Sequence, residues 1–411
     1  MKQNIKTIIA GIPWAKRLYL SAKQWCARIS FQFARPRLNN QIIRQGSPEC
    51  FTGMPLRIDW HVTTHCNYRC SYCFNAGNEY KKVFCTLEQA ETAVKHIASA
   101  NRPAYQVNLI GGEPTTHPHL AEIITLLCQY LGNRLEQLVI TTNGSFSERQ
   151  MDAILKAGEL INVELIISIH LEYMKVERVV ELVKRFSSTT RLQLALMLHP
   201  ELVDKAMSMA DALCDLRRDY HFMMYPSMLR EGPAFDRFDS RYTQNHFNCA
   251  DTIRERFAKA SAEGPEDAIK RKPNFGWQFL LERKENDSIA RHERISISEL
   301  KDLTGNVFTG VTCCAGTSIV DIAIDGSVKG MICALDHATC NIYKENPFLR
   351  KDWIHGVFCT IPMCGCSVNH RIPKFGSHAD AQKFIAGKRL EQKQLLELQD
   401  GVNSFQRNKT N

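Results

Sequence analysis

Between residues 55 and 226 the apolar positions switch repeatedly between two periods. Short stretches at 56–62, 105–110, 135–141, 163–169, 192–198 and 221–225 alternate, or run almost continuously apolar, and read as strands. The segments between them repeat at helical spacing, as at Leu120, Ile123, Ile124 and Leu127. Helices are predicted over 86–100, 119–130, 147–158, 173–186 and 201–217. Two carry start signals: Thr86 with Gln89, and Ser147 with Gln150, each spaced as a capping box. The run 163–169 is nearly unbroken, as expected of a strand buried on both faces. Strand–helix alternation of this kind predicts βαβ units, a parallel sheet and right-handed crossovers. The pattern leaves open whether the sheet is flat and doubly wound or curled into part of a barrel.

Beyond residue 226 the periodicity weakens. A helix is predicted over 242–262, a loop over 264–273 and a strand over 277–281. Residues 318–324 and 328–332 flank Asp325-Gly326, a hairpin signal. Residues 377–400 read as a polar helix. The first 50 residues show no strand pattern, and Gly53-Met54-Pro55 carries turn chemistry. The expected division is an arm over 1–54, an α/β unit over 55–226, a bridging insert over 227–312, a cysteine-rich unit over 313–376 and a terminal helix and tail over 377–411.

A chain of 411 residues, 44% hydrophobic, is long enough for two or three folding units with a substantial core. No run approaches the ~20 apolar residues of a membrane span. The apolar stretch 8–14 is short and broken by Gly11 and Pro13, so no signal peptide is predicted. The net charge of +9 is concentrated in residues 1–48, which hold nine Lys/Arg and no Asp or Glu. Interleaved with Trp14, Tyr19 and Trp25, this arm suits either a contact with anionic membrane, nucleic acid or an acidic partner, or packing on the body with its charges in water. Sixteen cysteines in a chain this long point to metal or cluster ligation in a reducing cytoplasm rather than to disulfides.

The first strand runs into Cys66-Asn67-Tyr68-Arg69-Cys70-Ser71-Tyr72-Cys73. Three clustered thiols suit soft metals: an iron–sulfur cluster, zinc or copper(I). A four-iron cluster takes four cysteines, so three in one loop leave one iron open unless a distant residue supplies the last ligand. Structural zinc with His61 or His65 as the fourth ligand is the alternative. Gly111-Gly112-Glu113-Pro114 and Thr141-Thr142-Asn143-Gly144 follow the second and third strands. Each by itself is an ordinary turn.

CxxxCxxC with an aromatic before the last cysteine, followed in order by those two stretches, resembles the signature of the radical S-adenosylmethionine (radical SAM) enzymes. The resemblance implies a partial (β/α)6 barrel, which agrees with the strand count. It implies that Cys66, Cys70 and Cys73 hold a [4Fe–4S] cluster whose open iron chelates S-adenosyl-L-methionine, and that one-electron cleavage of the latter starts radical chemistry. It places Tyr72 near the adenine and Gly111, Gly112 and Glu113 at the methionine amino group. Asn143 and Ser168, at strand ends, are candidate ribose partners. In Ser168-Ile169-His170-Leu171-Glu172, His170 and Glu172 are expected on one side of an extended segment, as acid, base or anchor for a substrate.

The unit over 313–376 resembles the SPASM or shorter twitch extension of that family, through Cys313-Cys314-Ala315-Gly316 and Asp325-Gly326. One auxiliary iron–sulfur cluster is expected, from Cys313, Cys333, Cys359, Cys364 and Cys366. Four-thiolate zinc is the rival. Relatives with this extension often modify peptides or proteins, so the expected activity is radical modification of a peptide or protein, with a sugar or lipid-linked intermediate as the other reading. A flavodoxin or ferredoxin is the implied reductant, and the cytoplasm the implied location. A non-catalytic zinc module is the alternative of another class.

Overall fold

The computed structural model describes residues 42–46, 55–73, 82–231, 237–266, 279–285, 288–295, 308–333, 335–361, 364 and 371–407. Residues 1–41 of the basic arm, Cys366 and parts of the insert lie outside this set.

The elements, in chain order, are β1 Ile42–Gly46, β2 Leu56–Thr63, α1 Leu87–Ser99, β3 Tyr105–Gly111, α2 Leu120–Leu131, β4 Leu135–Thr142, α3 Glu148–Leu160, β5 Asn162–Ile169, α4 Val176–Phe186, β6 Arg191–Leu198, α5 Val203–Arg217 and β7 Met223–Met228. There follow β8 Arg230–Glu231, β9 Arg237–Phe238, α6 Gln244–Glu263, β10 Phe279–Glu285, β11 Ser288–Ile295, β12 Thr312–Ala315 and β13 Ile319–Ile322. Last come β14 Ser327–Lys329, β15 Cys340–Asn341, β16 His355–Phe358, β17 Lys374–Phe375 and α7 His378–Arg407.

Strands β2 to β7 lie side by side in sequence order, every neighbouring pair parallel. Both predicted capping boxes form: Thr86 and Ser147 each accept from the backbone N–H three residues on, and Gln89 and Gln150 return the bond. Caps of this kind stabilise a helix by about 1 kcal/mol. Helix α1 buries Ala90, Ala93, Val94 and Ile97 against the sheet, the spacing of one helical face. The sheet curls into a partial barrel, because His61 of β2 and Met228 of β7 line the same cavity.

The inner face of the sheet differs from the apolar layer expected for 163–169. On β5, Val163, Leu165, Ile167 and Ile169 are wholly buried in the main apolar core. Glu164 alternates with them and joins a polar ladder across the strands. Gln106 donates to Gln137, Gln137 and Gln193 both donate to Glu164, and Arg371 donates to Gln106. A second chain links Arg57, Asp59 and Asn108. Gln106, Gln137, Glu164 and Gln193 each find a side-chain partner on a neighbouring strand, which offsets the cost of leaving water. Arg371 enters this ladder from the far end of the chain.

The C-terminal segments are built into the same framework. β13 pairs with β2 in parallel, and β14 and β15 follow, so the barrel sheet continues for nine strands in the order β15-β14-β13-β2-β3-β4-β5-β6-β7. The hairpin predicted around Asp325-Gly326 is β13–β14. A second sheet, ordered β11-β10-β1-β17-β12-β16, draws strands from three distant parts of the sequence. Its β1 corrects the expectation that the first 50 residues hold no strand: Ile42–Gly46 is extended because β10 and β17 flank it on both sides. Five residues carry too little local signal to show this without their partners. In the insert, α6 packs on the barrel, with Phe257 and Phe222 ring centroids 5.5 Å apart. Among the described residues no helix is long and apolar enough to cross a membrane.

Candidate functional site

The cysteine loop leaves β2 at the C-terminal edge of the parallel sheet, where α/β folds place their ligands. Backbone hydrogen bonds fasten its root to the turn after β3. Gly112 N–H donates to Thr63 O at 2.9 Å and Glu113 N–H to His65 O at 2.7 Å. The two glycines are needed for that approach. A Cβ on Gly111, whose φ is +151°, would lie 2.2 Å from Thr63 O, and one on Gly112 would lie 2.3 Å from His65 O. Only glycine accommodates both the backbone angle and the contact. The Gly-Gly pair thus brings the turn against the cysteine loop itself.

Glu113 is 2% exposed. Its carboxylate accepts from Thr115 N–H at 2.9 Å, Thr115 Oγ1 at 2.8 Å, Thr142 Oγ1 at 2.6 Å and Asn143 N–H. Burial pushes its carboxyl pKa up, and these four donors oppose that rise. Asn143 donates through Nδ2 to Asn67 Oδ1 at 2.9 Å, and Asn67 donates to Ser145 Oγ at 2.8 Å. The turn after β4 therefore holds the cysteine loop from one side.

The segment after β5 holds it from the other. His170 to Tyr173 is a turn, closed by Tyr173 and Met174 N–H groups on His170 O, where an extended run was expected. The turn arises because the chain reverses here to enter α4, which begins at Val176. Ser71 N–H donates to the Glu172 carboxylate at 3.1 Å, and Arg69 N–H to Tyr173 Oη at 3.1 Å. Tyr68 stacks on Tyr173 with centroids 4.5 Å apart. His170 Nδ1 lies 2.8 Å from Tyr72 Oη and 3.4 Å from Cys70 Sγ. His199 accepts from Glu201 N–H at Nδ1, which leaves its Nε2 to donate to Ser71 Oγ at 3.1 Å. Asn67, Ser145, Tyr173 and His199 were not singled out from the sequence; ordinary polar residues in turns give no signal of their own.

Cys66, Cys70 and Cys73 open on one cavity of roughly 460 Å³, with Tyr72, Gly111, Gly112, Glu113, Asn143, Ser168 and His170 in its wall. Ser168, at the end of β5, lines the same space. Met197, Met228, Leu229 and Arg230 complete the wall on the β6–β7 side. Glu172 is not among the lining residues. Burial is the main cause that pushes the Cys66 thiol up, and it drives Cys70 up to about 12. Burial also lowers His170 to about 4, so its ring is neutral near pH 7. Thiols held protonated by burial become good ligands once a metal's charge replaces the proton.

Does this arrangement fit an iron–sulfur cluster? The three sulfurs share a cavity, and among the described residues no three His, Cys, Asp or Glu side chains converge on one metal ion. In a cluster each thiolate takes a different iron, which suits three sulfurs that open on one cavity. His61, which also lines this cavity, lies 3.6 Å from Asp321 of β13.

Comparison with known proteins bears on the same residues. The model of the radical SAM superfamily matches residues 60–200. The chain carries a radical SAM domain. The family works with a [4Fe–4S] cluster and S-adenosylmethionine, and the cysteine loop, the glycine turn and strands β3 to β6 lie inside the matched span. Among similar proteins is a GTP 3',8-cyclase of Aquifex aeolicus (strain VF5), 36% identical over 107 residues, which cover 25% of this chain and 32% of that protein. A GTP 3',8-cyclase of Rhizobium etli (strain CIAT 652) is 31% identical over 107 residues, 25% of this chain and 30% of that one. The match thus spans about a third of each relative's length. Among solved structures, Streptococcus suis SuiB bound to S-adenosylmethionine aligns with a TM-score of 0.47 and 13% identity, over 74% of this chain and 67% of that one.

The C-terminal cysteines divide into two groups. Neighbouring residues of β12 face opposite ways, so Cys314 enters the main core while Cys313 enters a second, smaller one. Cys313, Cys333, Cys359 and Cys364 line one small apolar pocket in that second core. Cys340, on β15, stands apart from it. Cys366, expected as a ligand, lies outside the described residues. Burial drives the Cys359 thiol up to about 11 and raises Cys333 and Cys313 as well.

Proposed function

We propose that this protein cleaves S-adenosylmethionine reductively at a [4Fe–4S] cluster held by Cys66, Cys70 and Cys73, and uses the radical produced to modify a peptide or protein. The observation that carries the first half is the shared cavity: three sulfurs, the glycine turn and the ends of β4 and β5 face one space. When bound, the cluster supplies one electron to the sulfonium, breaking a carbon–sulfur bond so that a 5′-deoxyadenosyl radical can take hydrogen from a substrate. The chain's own residues position and enclose. The Gly111–Glu113 turn offers backbone and a preoriented carboxylate to the methionine amino group. Ser168 and Asn143 meet the ribose, and Tyr72 the adenine. His170, in the cavity wall, is the group proposed to face the substrate, and Glu172 fixes the backbone of Ser71.

The pocket of Cys313, Cys333, Cys359 and Cys364 holds one auxiliary iron–sulfur cluster in this reading, because a set of four thiols in an apolar pocket suits that cofactor. A flavodoxin or ferredoxin supplies electrons. The peptide substrate rests on the likeness of this extension to that of peptide-modifying relatives. A small anionic substrate is the second reading. Arg230 at the cavity wall favours it, as do relatives named GTP 3',8-cyclase.

Anaerobic reconstitution with iron and sulfide, followed by reduction and addition of S-adenosylmethionine, tests the proposal. 5′-Deoxyadenosine and methionine should form, and should not form with Cys70→Ala. A fully reconstituted sample that yields no 5′-deoxyadenosine removes the reading. Deuterium exchange from a labelled substrate pool into 5′-deoxyadenosine then separates the classes: peptide fractions for the first reading, nucleotide fractions for the second.

A further inference from the structure

The four thiols of the C-terminal pocket come from two frameworks. Cys313 lies on β12 and Cys359 directly follows β16, and these strands are neighbours in the second sheet. Cys359 is fixed there on both sides: its N–H donates to Val311 O at 2.9 Å, and its carbonyl accepts from Gly310 N–H at 2.8 Å. Cys333 arrives from elsewhere. It sits in the connection between β14 and β15, the last two strands at one edge of the barrel sheet. The pocket therefore straddles a junction, and one of its sulfurs has to be held across it.

Asp336, 3% exposed, spans that junction. Its N–H donates to Cys333 O at 3.1 Å, and its Oδ2 accepts from Gly330 N–H at 3.0 Å. Both bonds stay within the connection. Its Oδ1 reaches out of it, to lie 2.7 Å from Nε2 of His355, the first residue of β16. His355 Nδ1 lies 2.9 Å from Trp353 O. With an acceptor at each nitrogen, the ring donates twice only as the imidazolium, and the Asp336 bond is the main cause that raises its pKa. A charge-assisted bond of this kind is roughly twice as strong as a neutral one. His355 pairs with Ala315 across the β12–β16 ladder that also carries Cys313, so the carboxylate is tied to the frame of the other thiols. Burial is the main cause that raises the Cys333 thiol, and the Asp336 charge adds to it. A cation on the far oxygen of that carboxylate offsets the repulsion.

We propose that Asp336 and His355 form the latch that seats Cys333 in the four-thiol pocket, so that a metal–thiolate centre there takes one ligand from the barrel sheet under the hold of the second sheet. This rests on the pocket holding such a centre. His355 is a positioning residue: it acts through Asp336 and touches no substrate.

The test uses the full chain with Cys66→Ala, Cys70→Ala and Cys73→Ala, so that bound iron reports on the C-terminal pocket alone. After anaerobic reconstitution this parent should retain about four irons. Loss of all iron overturns the cluster reading of the pocket, and this inference with it. With iron retained, its release to a chelator is timed. His355→Ala should release it about tenfold faster, the low end for groups that orient a ligand. His355→Gln, which keeps an N–H near the place of Nε2 but no charge, should fall between the two. An unchanged rate in His355→Ala overturns the proposal while leaving the cluster assignment standing. A double-mutant cycle with Cys333→Ser separates a latch from a merely structural pair. With Cys333 gone, His355→Ala should change the rate by less than about twofold. Acceleration as large as in the parent overturns the proposal. Should His355→Ala fold too poorly to load, Asp336→Asn takes its place with the same outcomes. Should Cys333→Ser hold no iron, cobalt(II) is the probe, and its thiolate-to-metal absorbance counts the sulfurs bound. His355→Ala should then bind with one thiolate fewer than its parent, and an equal count overturns the proposal.

Discussion

The two cysteine sites are built on opposite principles. The loop of Cys66, Cys70 and Cys73 hangs at the open edge of a parallel sheet, half-buried, and is held by polar groups from three turns. The pocket of Cys313, Cys333, Cys359 and Cys364 sits against an apolar core, with Cys313 and Cys359 buried and Cys333 and Cys364 half-buried, and its partners are drawn from strands β12, β16 and β17 and the loops beside them. The first keeps a cavity of roughly 460 Å³ beside its sulfurs; the second has no comparable space. Three ligands beside a cavity leave room for chemistry at the metal. Four thiols in a small apolar pocket would leave room only for holding a centre.

That contrast can be broken most sharply at Cys70. Cys70→Ala should cut 5′-deoxyadenosine formation by more than about a hundredfold, since a missing ligand costs more than the outer groups that orient ligands. Iron at the C-terminal pocket should persist, as measured by iron content and EPR. A parallel loss of both centres would show the sites to be one cooperative unit.

Next in size is Gly111→Ala. The added methyl group meets Thr63 O at 2.2 Å in a backbone conformation with φ +151°. Strain of this kind costs on the order of 1–3 kcal/mol. The urea midpoint should fall accordingly, and the cysteine loop should lose iron even where the fold survives.

A smaller effect is expected from Glu172→Ala. It removes the acceptor for Ser71 N–H, an exposed bond worth about 0.5–1.5 kcal/mol. Iron should leave the open site a few-fold faster under a chelator, with no change at the closed one. Equal acceleration at both would mean that Glu172 acts through the whole fold.

The smallest concerns the closed region. His355 Nε2 lies 2.7 Å from Asp336 Oδ1, and this contact raises the histidine pKa. A raised folded-state pKa means the stabilisation is complete below the unfolded value of about 6.5 and is lost as pH rises through the folded one. The unfolding free energy of the parent should therefore exceed that of His355→Gln by more at about pH 5.5 than at about pH 8, by a margin on the order of 1 kcal/mol, as measured by urea unfolding at the two pH values. The open site should show no such dependence on His355.

The strand–helix order, the two capping boxes and the cysteine loop with its following turns could be read directly from the residues. Each is a local signal: period, a cap three residues apart, or a run of ligand-type side chains. The division of Cys313 from Cys314 also follows from alternation along a strand, once the strand is known. Ile42–Gly46 could not be read this way, because its extension depends on β10 and β17, more than two hundred residues away in sequence. Nor could Arg371 at the end of the ladder through Gln106, Gln137 and Glu164. Nor could the four donors that surround the Glu113 carboxylate, two of which come from the turn after β3 and two from the end of β4. Sequence fixes which groups are present and how neighbours along the chain face. Which distant groups share a space is decided only by packing, and here that includes Lys374 beside the four thiols and the His170 turn beside Cys70.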